Sequence, residues 1–466
     1  MPQLRFAVQS YQARALAFSA QRCVNYFAET APPDAKSGVV VYNAPGLKAY
    51  ADGLAGAVRG AIVAGGVLYV VAGDKFYSVD SAGAETLIGS INTSIGPVSM
   101  AANRAATQEV CFVDGADGWT YDTSNGLRVI SDGDFAAADT VAFQDGYFIF
   151  NRSGTSQFFI SGIDDGRSYD AADFADAERS PDNVIAVVSN HGELWVYGET
   201  TTEVYFNSGN ADFPFERIQG ATIERGIAAA FSIAAEDNTL FWLGDDLVIY
   251  RAAGYVPQRV STHAIEEQLR LMSSVADAVA FFVTISGHKF YHIVFPTGRK
   301  AFVYDVATGL WHERESFGAR HWRGASYVEA YGKHLVGDAF QGRIGELDME
   351  TFTEFGQTMQ GILTSPPIHS DERRLFHRRV EVAIESGVGT TTGGTPQAWL
   401  RYSDDGGRTW RARQPTRSMG KIGEYSQRLR WLRMGASRNR VYELTIADPV
   451  KRSIISAHLD IGQGSN

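Results

Sequence analysis

ELWVYGETTTEVYFNSGN, residues 193–210, holds two runs of aromatic and β-branched residues on either side of a short polar turn, and it closes on Asn, Gly and Asn. Each run is long enough for one strand, and the closing residues tolerate the positive φ of a hairpin turn. The same two-run unit recurs along the chain. First runs read VLYVVAG (67–73), EVCFVDG (109–115), GYFIFN (146–151), TLFWLG (239–244), KFYHIVF (289–295) and KHLVGD (333–338). A second run follows each, as in KFYSVDSAG, GWTYDTSNG, QFFISGIDDG, LVIYRAAG, AFVYDVATG and GRIGELDME. With Leu68, Val110, Tyr147, Leu194, Leu240, Phe290 and Leu335 as anchors, the steps are 42, 37, 47, 46, 50 and 45 residues. A period near 40–45 residues with several strands per unit is that of a β-propeller blade, whose two faces are buried only by neighbouring blades. The fold class expected is all-β, with a six- or seven-bladed propeller over residues 55–356.

Outside that span the pattern changes. Residues 357–370 read as a linker, because Pro366-Pro367 disfavours both helix and central strand. From 371 to 466 the runs RRVEVAIE, AWLRYSDDG, RLRWLRMG and RVYELTIAD alternate polar and apolar positions, as the strands of a small β-sandwich do. Strands within residues 1–54, around FAVQSY and CVNYFAE, are expected to pair into this sandwich platform. Residues 386–396, SGVGTTTGGTP, read as a hairpin tip. One helix is expected in STHAIEEQLRLMSSV (261–275), capped by Ser261 or Thr262 with Ile265, Leu269 and Met272 on one face. A propeller closes on itself, so the 55–356 unit is expected to fold alone.

The chain has 466 residues, 44% of them apolar, which suits a large core and not disorder. Its net charge of −11 argues against a general nucleic-acid binder. That charge is unevenly spread. From Gly361 onward there are 17 Lys and Arg against 10 Asp and Glu, a net of +7; the first 360 residues hold 25 against 43, a net of −18. Such polarity suits a subunit that stacks on a differently charged neighbour. Cys23 and Cys111 form no disulfide framework, and Cys111 in EVCFV reads as core. The N-terminal residues show no apolar signal-peptide segment, and the uncharged run 60–73 is too short to cross a bilayer, so no membrane insertion is expected.

Catalytic chemistry finds little footing. SDDGGRTW (403–410) fits S-x-D-x-G-x-T-W, the Asp-box hairpin of sialidases and related propeller enzymes. Its residues Ser403, Asp405, Gly407, Thr409 and Trp410 have structural duties: Asp405 accepts turn N–H groups, Gly407 takes the strained conformation, and Trp410 anchors the hairpin on the core. In sialidase-like enzymes the box recurs in several blades, whereas here it stands once, outside the repeats. The acidic run GIDDGRSYDAADFADAE (162–178) lacks the spacing of a calcium loop and reads as a solvated loop between blades. The scattered histidines, with no H-E-x-x-H, no G-x-S-x-G and no phosphate loop, give no catalytic, metal or cofactor assignment. Arg373, Arg374, Arg378 and Arg379 form a basic patch around His377, and Arg428, Arg430 and Trp431 add a second charge-rich strand. Arg and Trp are enriched at protein interfaces, so these seven are the candidate contact residues; the competing reading of the 373–379 patch is a solvated strand edge guarded by charge.

Three segments carry a family resemblance: RCVNYFAETAP with VVVYNAPGL near the start, FADAERSPDNVIAVVSNHGELWVYGETTTEVYFNSGNADFPFERIQGATIERGIAA (174–229), and GYVPQRVSTHAIEEQL (254–269). The likeness runs from about residue 22 to ADPVKRSIISAHLDI (447–461). It is strongest between Phe174 and Glu267, where E-x-x-P-D, G-x-x-T-x-E, N-x-G-x-x-x-F-P-F and S-T-H-A-I-E elements stand intact. The chain resembles the tail nozzle proteins of short-tailed bacteriophages, also called packaged-DNA stabilisation proteins. That resemblance implies a non-enzymatic virion protein, made in the host cytoplasm and forming a homohexameric ring below the portal and its adaptor. Tailspikes or fibres attach beside such a ring, and a tail needle or plug can seal it. Double-stranded DNA passes through without sequence-specific binding. Competing readings are a glycan-binding or glycan-hydrolysing propeller, for which the Asp-box speaks, and a receptor-binding tail component; a native mass of about six subunits favours the nozzle.

Overall fold

A computed structural model describes residues 3–464 apart from 5, 33, 178–181, 237, 372 and 391–392. Its first six blades are four-stranded antiparallel sheets in simple sequence order. They start at Val58–Ala64, Ser99–Ala102, Val141–Gln144, Val184–Asn190, Ala234–Glu236 and Val279–Ile285, and end at Glu85–Ser90, Gly126–Val129, Asp165–Asp176, Phe215–Ile223, Val256–Arg259 and Leu310–Glu313. A seventh begins with Gly324–Ala330, Lys333–Asp338 and Ile344–Asp348. The propeller has seven blades.

Apolar runs form the second strands because both faces of those strands are covered. Leu194 and Val196 pack with Phe158 and Ile160 of blade three, while Trp195 and Tyr197 pack with Leu240 and Trp242 of blade five. Both sides of the run therefore need apolar residues, which erases the alternation of a half-exposed strand. Cys111 lies in the layer between blades two and three, fully buried as its surroundings in sequence suggest.

Blade seven takes its outermost strand from the far end of the chain. Gly46–Ala51 pairs antiparallel with Ile344–Asp348, Leu47 opposite Leu347, and thereby locks the first turn of the ring to the last. The propeller thus starts before residue 55. Gly46 is required at this seam, since a Cβ there would run into the Thr351 carbonyl.

Two sheets make the sandwich. One runs Leu429–Leu432, Leu375–Ile384, Ser453–Gln463, Val39–Asn43, Tyr26–Thr30. The other runs Cys23–Val24, Gly361–Thr364, Asn439–Ile446, Gln397–Ser403, Arg417–Ser418, and it continues from blade six, because Val24 bridges Glu313 in parallel. Between the sheets lie Tyr26, Leu363, Trp431, Tyr442 and Met419. This corrects the linker reading of 357–370. Ile362 and Leu363 make a central strand, Leu363 fully buried, and the prolines stand just beyond its end, where no ladder bond is needed. Cys23–Val24, Tyr26–Thr30 and Val39–Asn43 precede the propeller in sequence yet pair with strands after residue 360 or with one another.

The helix spans His263–Arg270, shorter than 261–275. Thr262 caps it, its hydroxyl accepting from the Ile265 N–H at 3.4 Å, and Ile265 and Leu269 face the core, while Met272 lies beyond its end.

Candidate docking surface and axial channel

The Asp-box hairpin is internally complete. Ser403 Oγ donates to Asp405 at 2.6 Å and accepts the Gly407 N–H at 2.8 Å; Asp405 accepts the Thr409 N–H at 2.9 Å and its hydroxyl at 2.5 Å. Gly407 takes φ +91°, the left-handed region that favours glycine. These hydrogen bonds hold the Asp405 carboxyl well below the usual carboxylate range. Trp410 departs from the expected buried anchor. It is half-buried, and the Arg401 guanidinium sits 4.5 Å over its ring while pairing with Glu443 at 2.6 Å. The turn's polar groups are thus spent on the turn.

The candidate contact residues divide between two sides of one sheet. Strand Leu429–Leu432 alternates strictly: Leu429 and Trp431 point into the core, Arg430 and Leu432 out to solvent. Trp431 is 1% exposed and its indole N–H donates to the Pro415 carbonyl at 2.9 Å, so it is core and not a contact residue. In Leu375–Ile384 a bulge between His377 and Arg379 keeps His377 inward, bonded to Ser437 and Tyr442, and turns Phe376 and Arg378 outward. Burial first, then the nearby Arg440, holds the His377 imidazole down at about 4. Across the outer face, Arg428 and Arg430 pair with Glu381 at 3.2 and 3.0 Å. Arg379 lies 3.9 Å from the same carboxylate, while Arg373 and Arg374 stand exposed just before the strand. Phe376 and Leu432 remain 45% and 61% exposed among these arginines. The result is a basic sheet face with an apolar middle, the composition of an interface core with a polar rim.

Seven innermost strands surround an axial cavity of about 710 Å³, lined mostly by small residues such as Gly60, Ser99, Ala142, Ala186 and Ala280. A second recess, near blades two and three, holds Glu109, Asp122, Asp164 and Asp165 around Arg167. Arg167 reaches Glu109 at 3.1 Å and also pairs with Asp122, so the inner carboxylates are committed to one guanidinium. Burial raises the Glu109 carboxyl above its usual value, against the Gly166 N–H and Arg167, which lower it. The acidic run 162–178 is therefore the outermost strand of blade three, Asp165–Asp176, and not a loop; Glu178 lies outside the described residues. Among the described residues no group of three or more His, Cys, Asp or Glu could hold a metal, and no helix is long and apolar enough to cross a membrane.

Family profiles match both domains. The profile described as bacteriophage P22 Gp10, beta-propeller, covers residues 4–352, and that described as bacteriophage P22 Gp10, beta-sandwich, covers 361–462. The chain belongs to the bacteriophage P22 Gp10 family. It is a structural protein of the phage tail. No curated protein matches it significantly. Similar solved structures include U3-55K (10% identity, 65% of this chain and 99% of that one, TM-score 0.44). The Neurospora crassa Pan2 WD40 domain (9%, 66% and 95%, 0.43) and virginiamycin B lyase from Staphylococcus aureus (11%, 63% and 94%, 0.43) are others. Such distant likenesses carry no argument about function.

The motifs of this P22 Gp10 family member act as braces. Asp182, from the P-D element, accepts the N–H groups of Thr200 and Thr201 at 2.7 and 3.0 Å and both their hydroxyls, so it clamps the G-x-x-T-x-E turn. The first three residues of E-x-x-P-D, with its Pro181, lie outside the described residues. Phe213 and Phe215 of F-P-F pack on Phe158 and Tyr147 of the preceding blade. Glu266 of S-T-H-A-I-E takes Arg259 at 2.6 Å and the Ser261 hydroxyl at 2.8 Å.

Sequence reasoning missed the junction between the domains. Arg22 pairs with Glu313 at 2.7 Å and Glu315 at 3.1 Å. Asn25 donates to the carbonyls of Glu315 and Gln360, both at 2.8 Å, and accepts the Glu315 N–H. Arg314 donates to the Pro45 carbonyl, and the fully buried Arg452 to that of Met359. The only signal was positional: Arg22 and Asn25 sit in RCVNYFAE and Arg452 in ADPVKRS, two segments of the resemblance.

Proposed function

We propose that this tail protein is the nozzle subunit: a homohexameric ring below the portal and its adaptor that retains packaged DNA and conducts it during ejection. The observation that carries the reading is the family match over both domains, from residue 4 to 462 with one short gap. Two physical features support it. The axial cavity of 710 Å³, spread over strands such as Ser99–Ala102 that rise about 14 Å, is about 11 Å wide once a water radius of about 1.4 Å is added at each wall, below the ~12 Å of the major groove alone. Double-stranded DNA therefore runs between subunits, through the middle of the ring, and not through a propeller. DNA carries one charge per ~1.7 Å of axis, so a wall that must release it should not be basic, and the first 360 residues, which include the propeller, have net charge −18.

In this reading the basic sandwich carries the contacts to the acidic side of the adaptor and to neighbouring subunits. Tailspikes or fibres attach beside the ring, a needle or plug seals it, and the protein is made in the host cytoplasm before joining the virion. Particles assembled without this protein test the role. They are expected to package DNA and then lose it, with restoration on adding the purified chain. Particles that hold their DNA without it would refute the nozzle reading.

A further inference from the structure

The charge imbalance of the chain is marked at two places. Residues 141–223, which span blades three and four, hold 13 acidic side chains against four arginines. Many of these line the outermost strands, Asp165–Asp176 and Phe215–Ile223: Asp165, Asp170, Asp176 and Glu216 are exposed, and Asp173 is half-exposed. Of the four arginines, Arg167 is already engaged by Glu109 and Asp122, and Arg217 by Glu203 at 3.3 Å. Partial burial and the neighbouring Asp170 raise the Asp173 carboxyl. Exposed apolar groups lie among them, Phe174 at 36% and Phe206 at 40%. Among the described residues, Asp165–Asp176 is also an edge strand, paired with Gln157–Gly162 alone.

The sandwich supplies the complement. Its outer face sets Phe376 and Leu432 among Arg374, Arg378, Arg428 and Arg430, where Glu381 and Asp460 are the acids that pair in register with this face. The sandwich joins blade six through the Glu313–Val24 bridge, which belongs to the sheet opposite this face. Each blade turns the propeller by about 51°, so blades four and three stand about 103° and 154° round from blade six. In a closed ring of six, the directions to the two neighbours subtend about 120°, a value those two blades bracket.

Building on the nozzle reading, we propose that the outer sandwich face of one subunit docks on the acidic rim of blades three and four of a second copy of this chain. This is the head-to-tail contact that closes the ring. Unlike charges steer and register the approach, like faces repel, and the exposed phenylalanines and Leu432 form the dry middle of the contact. A heterologous contact of this kind uses two different patches of every subunit, so a ring can alternate between two complementary variants.

That property gives the test. Variant one is Arg374→Glu, Arg378→Glu and Arg428→Glu, with Arg430 left to hold Glu381; variant two is Asp170→Lys, Asp173→Lys and Asp176→Lys. All lie on the surface, and thermal melts matching wild type establish that both fold. Ring content is read by native mass spectrometry at several protein and salt concentrations. Each variant alone is expected to need at least tenfold more protein than wild type to form rings. Mixed in equal amounts, they are expected to regain wild-type behaviour, as rings with three copies of each. Phe376→Ser, which changes no charge, is expected to weaken rings without being rescued. Variants that each ring as wild type does would overturn this surface and leave the nozzle reading standing. So would a mixture that fails while both proteins stay folded. A wild-type chain monomeric under every condition would overturn the contact itself, whereas the nozzle role is judged separately by DNA retention in particles.

Discussion

Glu313 is the side chain on which the joint between propeller and sandwich turns, and replacing it by Gln measures that joint. Its side chain is 3% exposed and faces Arg22 at 2.7 Å and Lys300 at 3.5 Å. Burial alone would raise the carboxyl; the Arg22 and Lys300 charges, with the hydrogen bonds from Arg22, outweigh it and bring the group from 4.5 down to about 2. A carboxyl whose folded pKa is depressed contributes stability above its unfolded value and loses it as pH falls through the folded one. A gap of that size is worth about 3 kcal/mol at pH 7, present in full above about pH 5 and gone near pH 2. For a chain of 466 residues the unfolding entropy is on the order of 1 kcal/mol/K, so Glu313→Gln is expected to melt about 3 °C lower at neutral pH. Differential scanning calorimetry of both proteins from pH 7 to pH 2.5 follows the gap. It should hold steady down to about pH 5 and then close. A gap of zero at pH 7, or one that stays constant to pH 2.5, would refute the account of this ion pair.

Other expected outcomes follow from single contacts. Asp182→Ala strips four hydrogen bonds from the Thr200–Thr201 turn and should cost about 2–4 kcal/mol in denaturant titration, with Asp182→Asn recovering part of it. Trp431→Ala should cost about 3–5 kcal/mol and Trp410→Ala only about 1, since the former is core and the latter lies half-exposed under Arg401; equal losses would place Trp410 wrongly. His312 is held down at about 4, chiefly by burial, so its stability is complete above 6.5 and drains as pH falls toward 4; His312→Gln should flatten that part of the melting curve. The purified protein is expected to release no reducing sugar from sialosides, other polysaccharides or peptidoglycan. Release that disappears on mutating an acid within 162–178 would show an enzyme instead.

The repeat was legible because each blade buries both faces of its second strand, which fills a run such as LWVY with apolar residues from end to end. Blade number was less so: in blade two the first two strands are only four residues each, Ser99–Ala102 and Val110–Val113, too short for a clear period. The closing strand Gly46–Ala51 escaped notice because GLKAYA has no apolar run and its partner lies about 300 residues on, a pairing that local pattern does not encode. Prolines misled at 366–367, where they end a strand instead of preventing one. At Trp431 the alternation in LRWL already separated core from surface, but the density of arginine drew attention to the whole strand. Arg22–Glu313 left only the positional trace of Arg22 in RCVNYFAE, since its partners are 291 residues apart.

The placement of buried charge says what kind of load the junction bears. Ion pairs taken out of water are poor at adding stability, and apolar replacements often do as well or better. Directional contacts do something that apolar packing cannot: the Arg22–Glu313 pair, the Asn25 amide bonded to two carbonyls and the Glu313–Val24 bridge together fix an angle between two bodies. In the proposed ring that angle is a shared quantity. If the sandwich of each subunit sits on the propeller of the next, a tilt at the junction is repeated at every step, and six tilts of one sign open the ring or change its number. The retained charges then serve closure more than stability. Glu313→Gln protein, folded at pH 7, carries the test. It is expected to give open or mixed-number assemblies in native mass spectra, and closed rings of wild-type number would show that this pair sets no angle.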